Sequence, residues 1–246
     1  MIRRSFVILE RVGRKKERAL WQQGILDWND FLQKTVIKNI SSQKKQYYDR
    51  QIKDAQRALI ANDSAYFQKV LAARETWRLY SSFSEECGFF DIETDSRGRI
   101  TLVGISNYYQ TKTFVQGVNL EKKNLETALG QFKLLVTFNG ASFDLPKLKK
   151  QFGVTLAIPH LDLKPLCVQL GWKGGLKEVE KMLDLRRPAH LYGNPVDLWK
   201  AFHASGDREY LDLLIDYNTE DTENLKMIVG KVVKILGERI LPKALS

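Results

Sequence analysis

The sequence predicts an α/β chain: a mixed five-stranded sheet flanked by helices, with a helical, basic region at the N-terminus. Three observations carry this. Apolar runs and turn signals succeed one another in the order β-β-β-α-β-α-β from Gly88 to Leu163, with helical periodicity beyond. The first run, Gly88-Phe89-Phe90-Asp91-Ile92-Glu93-Thr94, is apolar until it delivers two carboxylates, as a central strand buried on both faces does. The charge is also lopsided. Residues 1–80 carry 17 Lys/Arg against 8 Asp/Glu, whereas residues 81–246 carry 22 against 21.

Composition sets the outer limits. A chain of 246 residues with 43% hydrophobic content has room for one large domain, or one domain with an appendage. No apolar run approaches the ~18 residues that would span a bilayer, and Ser5–Leu9 is too short for a signal-peptide core. Two cysteines, Cys87 and Cys167, fit a reducing compartment and exclude a disulfide scaffold or a zinc site built on cysteine alone. The expectation is a cytoplasmic protein without a membrane partner. Its basic arm beside a nearly neutral domain fits a polyanion held in one place and worked on in another.

The polar stretch Ser81-Ser82-Phe83-Ser84 divides a helical region, 1–80, from the α/β domain, 81–246. Residues 6–33 read as a short helix pair around Gly13, with Arg14, Lys15 and Lys16 at the turn, and with Asp27 or Asn29 capping the second helix. Leu9-x-x-Val12-Gly13 resembles a degenerate helix-hairpin-helix, a module that grips nucleic-acid backbone, although Arg11 replaces the first glycine of its turn. Residues 42–80 read as helical, with Tyr48, Ile52, Ala55 and Leu59 on one face. Tyr47, Tyr66, Phe67, Trp77 and Tyr80 read as core, and any of these aromatics left exposed keep homo-oligomer formation open.

Strands follow at Ile100–Tyr109 and Thr111–Gln116, completing an antiparallel meander. Leu120–Phe132 reads as a helix, Leu134–Phe138 as a buried strand, and Asp144–Phe152 as a helix with its acid at the positive end of the dipole. A last strand is expected over Thr155–Leu163. Helices are then expected at 164–170, 175–183, 196–204 and 207–237, with a turn at Gly193-Asn194-Pro195.

The chemistry lies in the acids. On a strand Asp91 and Glu93 point the same way, and unit charges about 4 Å apart repel by roughly 4 kcal/mol at an effective dielectric near 20. A cation between them removes that cost. Asp144 follows the fourth strand, and Asp221 lies in the last helix one turn after Tyr217. Four carboxylates from three segments suit two divalent cations, Mg²⁺ or Mn²⁺, spaced about 3.5–4 Å apart for phosphodiester hydrolysis, with the phenol orienting a water.

Asp91-Ile92-Glu93, Asn139-x-x-x-Phe143-Asp144 and Tyr217-x-x-x-Asp221 resemble the three exonuclease motifs of the DEDDy branch of DnaQ-like 3′–5′ exonucleases, which have the RNase H-like fold. The YprB-type family of predicted exonucleases is the nearer likeness. Its pattern is met in Trp77-Arg78-Leu79-Tyr80, His160-Leu161-Asp162-Leu163, Trp172-Lys173-Gly174-Gly175-Leu176, Asp197-Leu198-Trp199 and Tyr217-Asn218-x-x-Asp221. The resemblance implies 3′-to-5′ hydrolysis of single-stranded nucleic acid, DNA favoured over RNA, releasing nucleoside 5′-monophosphates. It makes Asp91, Glu93, Asp144 and Asp221 metal ligands and Tyr217 the water-orienting residue. It places Thr94, Asn139 and Phe143 against the terminal nucleotide. His160 and His203 do not stand where the histidine-using branch has its histidine. A non-catalytic nucleic-acid-binding factor on the same scaffold, and an endonuclease using the same acids, are the competing readings.

Overall fold

The computed structural model describes residues 1–191 and 194–242. They form two compact units, one of Met1–Ser84 together with the chain from Val233 onward, the other Glu85–Val232.

In the first unit the helices are α1 (Arg14–Trp21), α2 (Trp28–Gln33), α3 (Ser42–Ile60), α4 (Ser64–Val70) and α5 (Tyr80–Phe83), with a 3-10 helix at Ala73–Leu79. Asp27 caps α2 through a reciprocal box with Asp30, and Ser41 caps α3. The long helical stretch expected over 42–80 breaks where Asn62 enters the left-handed region, φ +52°, and Asp63 starts α4. Tyr48, Ile52 and Ala55 face inward as the spacing predicts, and Trp77 and Phe67 are fully buried. Tyr47, expected in the core, is instead 43% exposed, its hydroxyl donating to Glu10 at 2.6 Å.

The helix expected ahead of Gly13 is absent. Residues 6–12 form successive turns, Leu9 N to Phe6 O and Val12 N to Leu9 O, and Arg11 sits at φ +59°. The cause is Glu17. Its carboxylate takes the backbone N–H of Phe6 at 2.7 Å and of Val7 at 3.3 Å, together with the Ser5 hydroxyl at 3.0 Å. The same carboxylate pairs with Arg78 at 2.9 Å, both side chains wholly buried, and Arg78 Nε donates to Glu75 at 2.8 Å. Glu75 in turn accepts from Arg14 at 2.6 Å. This buried polar network ties the first twenty residues to the 3-10 helix.

The second unit is the α/β domain. Its strands are β1 (Cys87–Thr94), β2 (Ile100–Ser106), β3 (Thr111–Val115), β4 (Leu134–Thr137) and β5 (His160–Asp162). Its helices are α6 (Lys122–Leu129), α7 (Asp144–Phe152), α8 (Leu163–Leu170), α9 (Leu176–Met182), α10 (Pro195–Ser205) and α11 (Arg208–Ile240), the last of which ends in the first unit. The described residues make one mixed sheet in the order β3-β2-β1-β4-β5. β1 runs antiparallel to β2 and parallel to β4. The predicted fold class is therefore the observed one.

Phe90 and Ile92 point from β1 into a core closed by Leu125 and Leu129 of α6 and Leu148 of α7. On the opposite face Leu102 of β2 packs with Leu198 and Trp199 of α10 and Leu211 and Leu214 of α11. Asp91 and Glu93 belong to this second face, so α11 covers them. β3 and β4 each end one residue earlier than expected, and two strands are shortened by more. β2 stops at Ser106 because the Asn107 side chain accepts from the backbone N–H of Tyr109 and Gln110 and turns the chain. β5 is confined to three residues following Pro159, which has no N–H to give a ladder but whose carbonyl accepts from Leu135 at 3.0 Å. Of the turn expected at Gly193-Asn194-Pro195, Gly193 lies outside the described residues, while Asn194 caps α10 by accepting from Val196 N at 2.9 Å. Among the described residues no helix is long and apolar enough to cross a membrane.

Replacing Arg78 by Ala leaves the Glu17 carboxylate buried without its counter-charge and leaves Glu75 to Arg14. The expected loss is about 3–5 kcal/mol of stability, the usual consequence of breaking a buried ion pair from one side. Urea unfolding of Arg78→Ala against the wild type measures it, and a loss under about 1 kcal/mol, the range of exposed pairs, contradicts the network's role.

Candidate metal centre

The site is built at the C-terminal end of β1, where the parallel neighbour β4 also ends and the chain leaves the sheet toward α7. Asp91 and Glu93 share a face, and a bulge between Glu93 and Thr94 ends the regular pairing with β2. Asp91 stands opposite Gly104 in that pairing. Asn218 of α11 comes down over Gly104 and donates through Nδ2 to Asp91 Oδ2 at 2.8 Å. A Cβ on residue 104 would lie 1.9 Å from Asn218 Oδ1, so only glycine permits this close approach. Asp221, one turn further along α11, completes a set with Asp91 and Glu93 in which one carboxylate oxygen from each lies within 4.8 Å of the others.

Asp144 enters from the other side as the first residue of α7, 3% exposed. Its anion is favoured by its own backbone N–H and by that of Ile92, the residue between the two strand acids. It lies outside the tight set of three, yet its charge acts on both Asp91 and Glu93. Tyr217 is buried on the turn of α11 before Asp221.

These groups resist ionisation together. Burial, then the charges of Asp221, Asp144 and Glu93, push the Asp91 carboxyl well above the usual range. Burial and the charges of Asp221 and Asp144 push Glu93 up to about 8. Burial likewise raises Asp144 to about 7, against the two backbone hydrogen bonds that favour its anion. Asp221 rises to about 6, chiefly by burial and in spite of Arg187. An all-oxygen, anionic donor set with this much unrelieved repulsion fits a hard divalent cation such as Mg²⁺ or Mn²⁺.

The family model of the RNase H superfamily matches residues 88–233, more than half of the chain and all five of these residues. The chain belongs to the RNase H superfamily. Among solved structures, the family B DNA polymerase from the hyperthermophilic archaeon Pyrobaculum calidifontis matches with a TM-score of 0.50 at 15% identity. The match covers 61% of this chain and 25% of the polymerase, so the likeness is one of fold over a quarter of that protein's length. No curated protein matches the chain. RNase H-like nucleases use divalent metals, and Asp91, Glu93 and Asp221 form an acidic triad able to hold one.

Around this RNase H-like centre lie cations that the sequence pattern does not single out. Arg187, from the segment between α9 and α10, pairs with Asp221 and with Glu180 at 2.7 Å, and its guanidinium lies 5.3 Å from the Tyr217 ring centre. Lys177 of α9 places Nζ 4.7 Å over the same ring and draws Glu93 and Asp221 toward their anions. Lys177 directly follows the Trp172–Leu176 stretch, so a signal lay beside it. Arg187 lies in a segment with no periodicity to mark it.

The residues expected to touch a terminal nucleotide ring the acids in part. Thr94 ends β1, half-buried. Asn139 adopts φ +68° in the loop after β4, and Asp162 fixes that loop by accepting from Asn139 N at 2.7 Å and Ala141 N at 3.1 Å. Asp162 also caps α8, accepting from Lys164 N at 3.1 Å. Phe143 is 40% exposed beside Asp144, with Lys147 Nζ 4.7 Å from its ring centre. Of the basic residues in the first unit, Lys15 and Lys16 are exposed, Lys16 donating to Arg11 O at 3.0 Å, while the Nε of Arg14 is held by Glu75.

The raised carboxyls carry a pH signature for the metal-free protein. Groups whose folded pKa exceeds the unfolded one hold protons in the native state that the unfolded chain has released, so their stabilising contribution is present at low pH and is lost as pH rises through the folded values. With EDTA present, the melting temperature is expected to fall as pH rises across the window from the ordinary carboxylate range, about 4, through the folded values of Asp221, Asp144 and Glu93 at about 6, 7 and 8. Mn²⁺ binds the deprotonated set and reverses the fall, and Glu93→Gln flattens it. Circular dichroism melts with and without Mn²⁺ measure this; a metal-free melting temperature that rises through the window contradicts the clustered acids.

Proposed function

We propose that this chain is a metal-dependent 3′–5′ exonuclease of the DEDDy type, related to the YprB-type family, acting on single-stranded nucleic acid with DNA favoured over RNA. One observation carries the reading. A strand end and a distant helix bring three carboxylates within 4.8 Å of one another, while the start of a second helix supplies a fourth whose charge acts on Asp91 and Glu93. That arrangement has no structural purpose that an apolar residue would not serve at lower cost.

Bound divalent ions, two in this reading, supply an activated water and charge stabilisation on the leaving oxygen. The chain's own residues do the rest. Asp91, Glu93, Asp144 and Asp221 hold the ions, and Asn218 holds Asp91 by one of its oxygens, leaving the other for a cation. Tyr217 orients the attacking water by its phenol. Phe143, exposed at the lip, stacks on the terminal base, and Thr94 and Asn139 contact the terminal nucleotide. Lys15 and Lys16, with Arg14 in support, hold backbone phosphates. The polymerase likeness supports the fold of a nuclease domain, and the preference for DNA is the reading's own.

The test is a 5′-labelled oligonucleotide incubated with Mg²⁺, Mn²⁺ or EDTA. A ladder growing from the 3′ end with metal and absent with EDTA is the expected result. Intact but shifted bands would favour a binding factor, and discrete internal cuts an endonuclease. Asp91→Ala and Asp221→Ala are expected to abolish cleavage while leaving strand binding, and full activity in either overturns the assignment. Tyr217→Phe removes one hydrogen bond worth about 0.5–1.5 kcal/mol, so turnover should slow by about twofold to tenfold; an unchanged rate takes the phenol out of the mechanism.

A further inference from the structure

Among the described residues, Asp221 is the one member of the acid set whose carboxylate is also claimed by a cation of the chain itself. Arg187 donates from Nη2 to Asp221 Oδ1, and it is not a loose surface side chain. Its Nε and Nη2 grip both oxygens of Glu180, at 2.7 and 2.8 Å. Glu180 is 2% exposed and is itself fixed from α11 by Asn224 Nδ2 at 3.0 Å. Arg187 Nη1 is buried and without a partner. The guanidinium also lies over the buried Tyr217 ring. A planar fork seated two-point on a buried carboxylate cannot swing, so its contact with Asp221 fixes the direction in which that carboxylate faces.

We propose that Arg187, seated on Glu180, is a positioning residue for the metal centre: it holds Asp221 by Oδ1 so that Oδ2 is presented to the cation shared with Asp91 and Glu93. The inference rests on reading those three acids as metal ligands. The opposite role is also chemically sensible, since an arginine on a ligand oxygen can act as a rival of the ion. The two roles differ in sign. Loss of an outer partner that orients a ligand weakens metal binding by about 10- to 100-fold, whereas loss of a rival strengthens it.

The experiment is calorimetric titration of Mn²⁺ into the full chain, wild type against Arg187→Ala, Arg187→Lys, Glu180→Gln and Asp91→Ala, each checked by circular dichroism for retained fold. Arg187→Ala is expected to weaken Mn²⁺ binding by about 10- to 100-fold. Arg187→Lys should recover only part of this, because an ammonium cannot sit two-point on Glu180. Glu180→Gln, which keeps the shape and removes the seat's charge, is expected to fall between. Nuclease rate in Arg187→Ala should return toward the wild-type value as Mn²⁺ is raised to saturation, a rescue that general loosening of the fold would not give. Mn²⁺ affinity equal to or above wild type in Arg187→Ala overturns the proposal, as does equal loss in Arg187→Ala and Arg187→Lys with no rescue by Mn²⁺. If Arg187→Ala does not keep its fold, Glu180→Gln decides by the same criterion. Failure of the underlying reading looks different: the wild type would bind no Mn²⁺, or Asp91→Ala would bind it unchanged.

Discussion

Mutual repulsion among the buried carboxylates is the constraint on which the second unit depends. Asp91, Glu93, Asp144 and Asp221 come from a strand, a helix start and the middle of a long helix, and each raises or is raised by its neighbours. A fold gains nothing from such a cluster by itself. Its survival requires rigid elements that hold the acids together against their charge, and those elements are the ones the apolar pattern builds most firmly. β1 is the middle strand of the sheet, its apolar side chains sealed by α6 and α7 on one face while α11 closes the other. The acids therefore lie where the backbone can least give way.

Hydrogen bonds then spread the cost. Asp144 sits at the first turn of α7, where free backbone N–H groups and the helix dipole favour an anion, and the Ile92 N–H adds to that preference. Asn218 gives Asp91 one donor, an approach that requires the bare backbone of Gly104 beneath it. The loop between β4 and α7 is pinned by Asp162, with Asn139 in a left-handed conformation and Phe143 left exposed at its end. Asn218 thus fixes the orientation of Asp91, and Asp162 that of the loop entering α7.

How much of this the sequence makes legible follows from the range of the interaction involved. The strand acids are legible because an apolar run ending in Asp-Ile-Glu obeys the period of two. The juxtaposition of Tyr217 and Asp221 is legible because four residues make about one helical turn. Asp144 needed one more step, that β4 neighbours β1, which the element order supplies. Asn218 was visible beside Tyr217, but its bond to Asp91 depends on which residue of β2 lies opposite, a register no local pattern states. Arg187 was invisible because its segment has neither helix nor strand period, and its partners, Glu180 and Asp221, are set by tertiary packing. The absent helix before Gly13 has the same origin. Local propensity permits a helix over residues 6–12, and the Glu17 carboxylate, fixed by the distant Arg78, takes the backbone donors instead.

Charge balance connects these points. The chain supplies two cations to the neighbourhood of the four acids, Lys177 and Arg187, and Arg187 is shared with Glu180. Counting Glu180, five carboxylates stand against two cations, and the surplus negative charge lies on the side of Asp91 and Glu93, which no cation of the chain touches within ion-pair distance among the described residues. Metal-free protein balances that surplus with protons, which is what the elevated carboxyl affinities express. A divalent ion held by Asp91, Glu93 and Asp221 would replace those protons with a charge that persists at neutral pH, where the donor oxygens are already gathered. The placement of the protein's own cations, on Asp221 and Tyr217 rather than between the strand acids, is what keeps that position open.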